Sequence, residues 1–165
     1  MDQPAPSGPA ALHVILVEPE IPANTGSIGR TCVAAGATLW LVRPLGFHLD
    51  DRNLRRAALD YWEHLDLRVV NSFGEAEGAL RPGRLWYFST KAKQPYTDVA
   101  FAAGDALVFG PETRGLPEPW LSEAADRALR IPIRPEARSL NLANAVAIGV
   151  FEAVRQITNA THSSV

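Results

Sequence analysis

Beyond residue 11 the chain alternates short apolar runs with stretches whose apolar positions recur every three or four residues, the signature of strands exchanging with helices. Leu12 to Val17 reads as a first strand. The stretch from Asn24 through Ala35 reads as a helix stopped by Gly36, and Thr38 to Val42 as a second strand. Asp50 or Asp51 is placed to cap a helix carrying Leu54, Ala57 and Ala58, and Leu67 to Val70 makes a third strand. Ser72 can cap a short helix running to Leu80. Leu85 to Ser89, Ala106 to Phe109 and Ala128 to Ile131 follow as strands, and Asn141 to Ile157 as a long terminal helix. Strand, helix and strand in repetition predict an α/β fold, a mostly parallel sheet flanked by helices.

In such sheets ligands bind beyond the carboxyl ends of the strands. Attention therefore falls on the loops Glu18 to Gly29, Ser89 to Tyr96, Gly110 to Pro119 and Pro132 to Asn144. Common chemistries are missing from them. No G-x-x-x-x-G-K-[ST] phosphate cradle occurs, no G-x-G-x-x-G follows the first strand, and no G-x-S-x-G nucleophile elbow is present. The four histidines are scattered without zinc-ligand spacing, so no metal is expected.

Length and charge narrow the picture further. The chain has 165 residues, enough for one domain, expected over residues 12–165 behind a Pro- and Gly-rich leader, residues 1–11, that reads as disordered. The single Cys32 suits a reducing compartment, and no apolar run is long enough for a membrane span, so a cytoplasmic protein is expected, with no membrane partner. With 16 Lys+Arg against 18 Asp+Glu the net charge is −2, which by itself argues against a nucleic-acid partner. Distribution changes that inference. Fourteen of the 16 cations are arginine; Arg52, Arg55 and Arg56 share one helical face, and Arg127, Arg130, Arg134 and Arg138 cluster around the last loop. A solvated, salt-bridged face near Asp50, Asp51 and Asp60 is the plainer reading of the first cluster. Trp40, Tyr61 and Trp62 could stack on bases or fill the core.

Three constellations stand out in the loops. Asn24-Thr25-Gly26-Ser27-Ile28-Gly29-Arg30 opens the first helix, with Asn24 as a candidate cap. Phe109-Gly110-Pro111-Glu112-Thr113-Arg114-Gly115-Leu116-Pro117 is a shaped loop in which Glu112 and Arg114 could simply pair at the surface. The Pro-held segment from Ile131 to Asn144 enters the last helix with Ser139 as a natural N-cap. Asn141 and Asn144 lie three apart on one face. Two amides opening an apolar helix need partners.

Asn24-x-Gly26 through Arg30, Phe109-Gly110-Pro111-Glu112-Thr113-Arg114-Gly115 and Ser139-x-Asn141, in this order, resemble the three motifs of the SPOUT, or trefoil-knot, RNA methyltransferases. Within them the chain is most similar to the tRNA (cytidine/uridine) 2′-O-ribose methyltransferases of the wobble nucleotide. The similarity runs from Leu12 to about Ile157 and includes Glu18-Pro19-Glu20-Ile21-Pro22, Leu54-Arg55-Arg56-Ala57 and Leu59-Asp60-Tyr61.

The resemblance implies a deep C-terminal knot, S-adenosyl-L-methionine as methyl donor, and the anticodon stem-loop of tRNA as substrate. It implies a homodimer joined through the first and last helices. The terminal helix is apolar almost all round, which fits either that pairing or burial within its own domain. Carried over, the cofactor site is Phe88, Ser89, Thr90, Gly110, Glu112, Gly115, Ile131, Ser139 and Asn144, with Gly110 expected to leave room for the ligand. The catalytic set is Arg30, Asn24, Glu112, Ser139 and Asn141, and the RNA-binding set Arg30, Arg52, Arg55, Arg56, Arg114 and Arg138. A guanidinium offers donors and no acceptor, so Arg30 is expected to fix a phosphate or stabilise a developing alkoxide rather than take the hydroxyl proton. Another side chain, or water, is then the proton acceptor. The alternatives are the same chemistry on ribosomal RNA, and a non-catalytic knotted RNA-binding module.

Overall fold

The computed structural model describes residues 12–81 and 83–163. The leader expected over residues 1–11 lies outside the described residues. Seven strands form one sheet in the order β3-β2-β1-β6-β4-β7-β5, every neighbouring pair parallel. They are β1 Leu12–Val17, β2 Thr38–Val42, β3 Leu67–Val70, β4 Leu85–Phe88, β5 Gln94–Pro95, β6 Asp105–Phe109 and β7 Ala128–Arg130. The helices are α1 Pro22–Ala35, α2 Arg52–Ala58, α3 Phe73–Ala79, α4 Glu118–Glu123 and α5 Leu142–His162, with a 3₁₀ turn at Leu59–His64.

The apolar runs are continuous because the central strands are covered on both faces. On one face Val14, Leu16, Leu39, Leu41, Phe88, Leu107 and Phe109 meet Ile28 and Cys32 of α1 and Val146, Val150 and Ala153 of α5. On the other, Ile15, Trp40, Tyr87 and Val108 meet Ala76 of α3, with Phe73 and Trp120 packed alongside. Cys32, on the α1 face, is fully buried, and burial pushes its thiol up to about 12. At the start of β6 the buried carboxylate of Asp105 accepts from Arg84, Trp86 Nε1 and the N–H of Ala102, so its charge is compensated.

Strand β7 is laid between β4 and β5, and the Ser89 N–H donates to Leu129 O at 2.9 Å. A strand late in the chain thus occupies a slot between two placed earlier. The segment after it, from Ile131 to Asn141, crosses the carboxyl end of the sheet before α5 begins.

Several predicted strand ends move by one residue, α5 runs on to His162 rather than stopping at Ile157, and four further differences bear on the site. Strand β5 is two residues long and contains Pro95, which its edge position tolerates. Helix α4 begins at the end of the predicted loop Gly110 to Pro119 and runs through a stretch to which no element was assigned, started by prolines on either side of Glu118. Helix α1 starts at Pro22, so Asn24 sits within its first turn rather than capping it. Asn141, not Ser139, caps α5, its Oδ1 accepting the Asn144 N–H at 3.3 Å.

Candidate active site

Helix α1 opens with no side-chain hydrogen bond from its own cap residue, Ile21. Glu112, arriving from the β6–α4 loop, instead grips the backbone of the two residues that lead into the helix. Its Oε2 accepts from the Glu20 N–H at 2.8 Å and its Oε1 from the Ile21 N–H at 3.1 Å. A carboxylate at a helix N-terminus is also favoured by the helix dipole. The same Oε1 takes Asn24 Nδ2 at 3.4 Å, and Asn24 Oδ1 accepts from Asn141 Nδ2 at 3.0 Å. One chain of hydrogen bonds, Glu112–Asn24–Asn141, therefore joins all three motifs. Glu112 is not paired with Arg114; Arg114 reaches Glu18 instead, at 2.9 Å.

The contact between the two loops is reciprocal. While Glu112 holds the backbone of Glu20 and Ile21, the Glu20 carboxylate accepts from the Thr113 N–H at 3.1 Å and the Thr113 hydroxyl at 2.7 Å. The Thr113 hydroxyl and N–H draw the Glu20 carboxyl below its ordinary value.

Around this clasp lies a cavity of about 490 Å³ at the carboxyl ends of β4, β6 and β7. That is within the range of small-molecule sites. Phe88, Phe109, Leu116, Ile131 and Leu142 give it apolar walls, while Asn24, Ser89, Thr90, Glu112, Ser139 and Asn141 bring polar groups. A flat heteroaromatic group and a charged, hydrogen-bonding tail would both find complementary surroundings. The donor set thus fits a nucleoside carrying an amino-acid chain.

Of the residues the sequence singles out for a cofactor, Phe88, Ser89, Thr90, Gly110, Glu112, Gly115, Ile131 and Ser139 line the cavity; Asn144 does not. Gly110 is required for a different reason from the one expected. A Cβ there would collide with the backbone of Gly115 and Leu116, so it is the loop's own fold that excludes a side chain. Gly115 itself has φ +67°, a conformation glycine adopts without penalty.

Ile21, Lys91 and Thr113 also line the cavity, together with apolar positions between Phe109 and Ala145 that were not among the predicted site residues. All but Ala145 lie in loops or motifs that the sequence singles out, which mark the neighbourhood but not the individual side chains.

The arginines lie elsewhere. Arg114 reaches the cavity rim, but Arg30, Arg52, Arg55, Arg56 and Arg138 are outside the lining and exposed. Arg30 stands six residues beyond Asn24 on α1, roughly 9 Å along the axis, with its guanidinium 4.8 Å above the Tyr61 ring. Among the described residues Arg52, Arg55 and Arg56 make no ion pair, since Asp51 is spent capping α2. Trp40 is buried and hydrogen-bonds His13.

The chain belongs to a defined class of enzymes: the SpoU rRNA Methylase family matches residues 11–151. The tRNA (cytidine(34)-2'-O)-methyltransferase of Aeromonas hydrophila is 47% identical over 147 residues, 88% of this chain and 94% of that protein. A solved structure described as giving insights into the 2-OH methylation of C/U34 on tRNA superposes with a TM-score of 0.84 at 47% identity, covering 92% of this chain and 99% of its own. The SpoU methyltransferase AviRb from Streptomyces viridochromogenes, in complex with AdoMet, gives a TM-score of 0.79 at 30% identity, covering 92% of this chain and 62% of that one.

Proposed function

We propose that this protein transfers a methyl group from S-adenosyl-L-methionine to the ribose 2′-hydroxyl of the wobble nucleotide, cytidine or uridine 34, of a tRNA, acting on the anticodon stem-loop. The observation that carries the reading is the Glu112–Asn24–Asn141 chain, which draws three separate motifs around one cavity. The relatives at 47% identity over most of the chain support the substrate.

When bound, the cofactor supplies an electrophilic methyl group on a sulfonium that is already a good leaving group. The chain supplies positioning and dryness. Phe88, Phe109, Ile131 and Leu116 would keep water from the adenosyl portion, while Ser89, Thr90, Ser139 and the backbone at Gly110 and Gly115 would hold its polar atoms. Asn144 acts from behind, through its N–H on Asn141. Glu112 keeps Asn24 and Asn141 facing the cavity and does not serve as base, because both its oxygens are occupied by N–H donors. Arg30 orients the incoming ribose and steadies negative charge on the 2′-oxygen as its proton passes to water. Arg52, Arg55, Arg56, Arg114 and Arg138 take phosphates, Arg114 by exchanging its exposed pairing with Glu18.

The working unit in this reading is a pair of copies joined through α1 and α5. Helix α5 buries Val146, Gly149, Val150 and Ala153 but leaves Ile148 36% and Phe151 47% exposed, and Ile21 ahead of α1 is 44% exposed. Such side chains, on α5 and just ahead of the adjoining α1, are what a second copy would cover. In the same reading the chain that follows β7, from Ile131 to Asn141, passes through a loop laid down earlier in the chain, forming the trefoil knot.

The test is nucleoside mass spectrometry of tRNA from cells with and without the gene, mapped to the anticodon loop. Loss of 2′-O-methylation at position 34 is expected on deletion; unchanged methylation there would overturn the substrate.

A further inference from the structure

Arg30 is not held by any carboxylate among the described residues; what holds it is an aromatic ring. Its guanidinium carbon lies 4.8 Å from the centroid of Tyr61, a residue that is itself 38% exposed. A cation over a ring face is attracted by the ring quadrupole, and the planar guanidinium also stacks.

The surroundings are built to produce this contact. The residue before Arg30 is Gly29, and a Cβ there would come within 2.9 Å of the Trp62 ring, the residue after Tyr61. Gly29 therefore admits Trp62 against α1, and that contact sets the register in which Arg30 meets Tyr61. The chain reaches this position through Leu59, whose φ of +52° is one that a branched side chain rarely adopts. That backbone turns α2 into the 3₁₀ segment Leu59–His64, and leaves the Leu59 side chain 56% exposed. A strained backbone and an exposed leucine gain nothing for the core. Non-glycine residues at such angles cluster at functional sites.

We infer that Tyr61 is a positioning residue for methyl transfer: its ring holds the Arg30 guanidinium flat and extended on the outer face of α1, ready for the ribose or its phosphate. The inference rests on the role given to Arg30 above. The hydroxyl of Tyr61 is not needed for it; the ring is.

The experiment compares Tyr61→Phe, Tyr61→Leu and Arg30→Ala under single turnover at saturating tRNA and S-adenosylmethionine, with cofactor affinity by calorimetry and tRNA affinity by filter binding. Tyr61→Phe should keep the wild-type rate. Tyr61→Leu, which fills similar space without a quadrupole, should lose about fivefold in rate, the size of an exposed cation–π contact. Its cofactor affinity should stay unchanged, and its melting temperature should fall by no more than about 3 °C, the stability one exposed contact contributes. A wild-type rate in Tyr61→Leu, with Arg30→Ala inactive, would overturn the inference while leaving the role of Arg30 intact. Loss of tRNA affinity at unchanged rate would also overturn it, because Tyr61 would then be contacting RNA directly. A wild-type rate in Arg30→Ala would remove the underlying reading and the inference with it.

Discussion

Glu112→Gln is the sharpest probe of how the site is assembled. The substitution conserves size and removes one acceptor. In the native protein Oε2 takes the Glu20 N–H at 2.8 Å while Oε1 takes the Ile21 N–H at 3.1 Å and Asn24 Nδ2 at 3.4 Å. Glutamine has one carbonyl oxygen, so whichever way its amide turns, its NH₂ faces an N–H donor. A hydrogen bond to a charged group contributes about 1.5–3 kcal/mol. Glu112 is only half-buried, and water can reach part of the gap, so about 1–2 kcal/mol is the reasonable loss. For a chain of this size that lowers the melting temperature by about 3–6 °C. Because the same bonds orient Asn24 and Asn141 at the cavity, cofactor affinity should fall about five- to thirtyfold. Thermal unfolding and calorimetric titration with S-adenosylmethionine measure the two effects separately. Wild-type stability and wild-type affinity in Glu112→Gln would refute the idea that this carboxylate ties the motifs together.

Other expectations follow from single features. Gly110→Ala should destabilise the protein by roughly 1–3 kcal/mol in chemical denaturation, even without ligand, because its Cβ meets the Gly115–Leu116 backbone. Burial holds His13 below its ordinary 6.5, against the pull of Asp66, while Trp40 Nε1 donates to its Nδ1 at 3.2 Å. The unfolded chain therefore binds the proton first. The stability of the neutral form is complete above pH 6.5 and is lost as pH falls below it. Melting curves between pH ~7.5 and ~5.5 should show a smaller decline in His13→Gln than in wild type. Cys32, fully buried, should resist alkylation in the native protein at pH ~8 and react on unfolding. For the proposed dimer, Phe151→Glu should sediment as a monomer at concentrations where the wild type is expected to sediment as a pair, since it places a charge on the exposed apolar face of α5.

What could be read in the sequence was what local pattern determines. Strands β1, β2, β4 and β6 are apolar runs because helices cover both sides of the sheet, and Asp51 and Ser72 cap α2 and α3 through their own neighbours. The cap of α5 could not be decided that way. Ser139 and Asn141 are both good caps, and the choice is made by a turn: Arg138 has φ +62° and the Ser139 N–H is bound to Ala137 O at 2.7 Å, which delays the helix until Leu142. The role of Glu112 was hidden for a related reason, since its backbone partners lie 91 and 92 residues away. Gly26 shows the same limit. It looked like part of a ligand loop, yet a Cβ there would meet Ala57 of α2 at 2.8 Å, so it serves helix packing.

Incubation of the purified protein with S-adenosylmethionine and unmodified tRNA tests methyl transfer to one ribose oxygen directly. Nuclease mapping with mass spectrometry should find one added methyl group, on the 2′-oxygen of nucleotide 34. A methyl group on a base or at another nucleotide, or none at all with cofactor bound, would contradict the account.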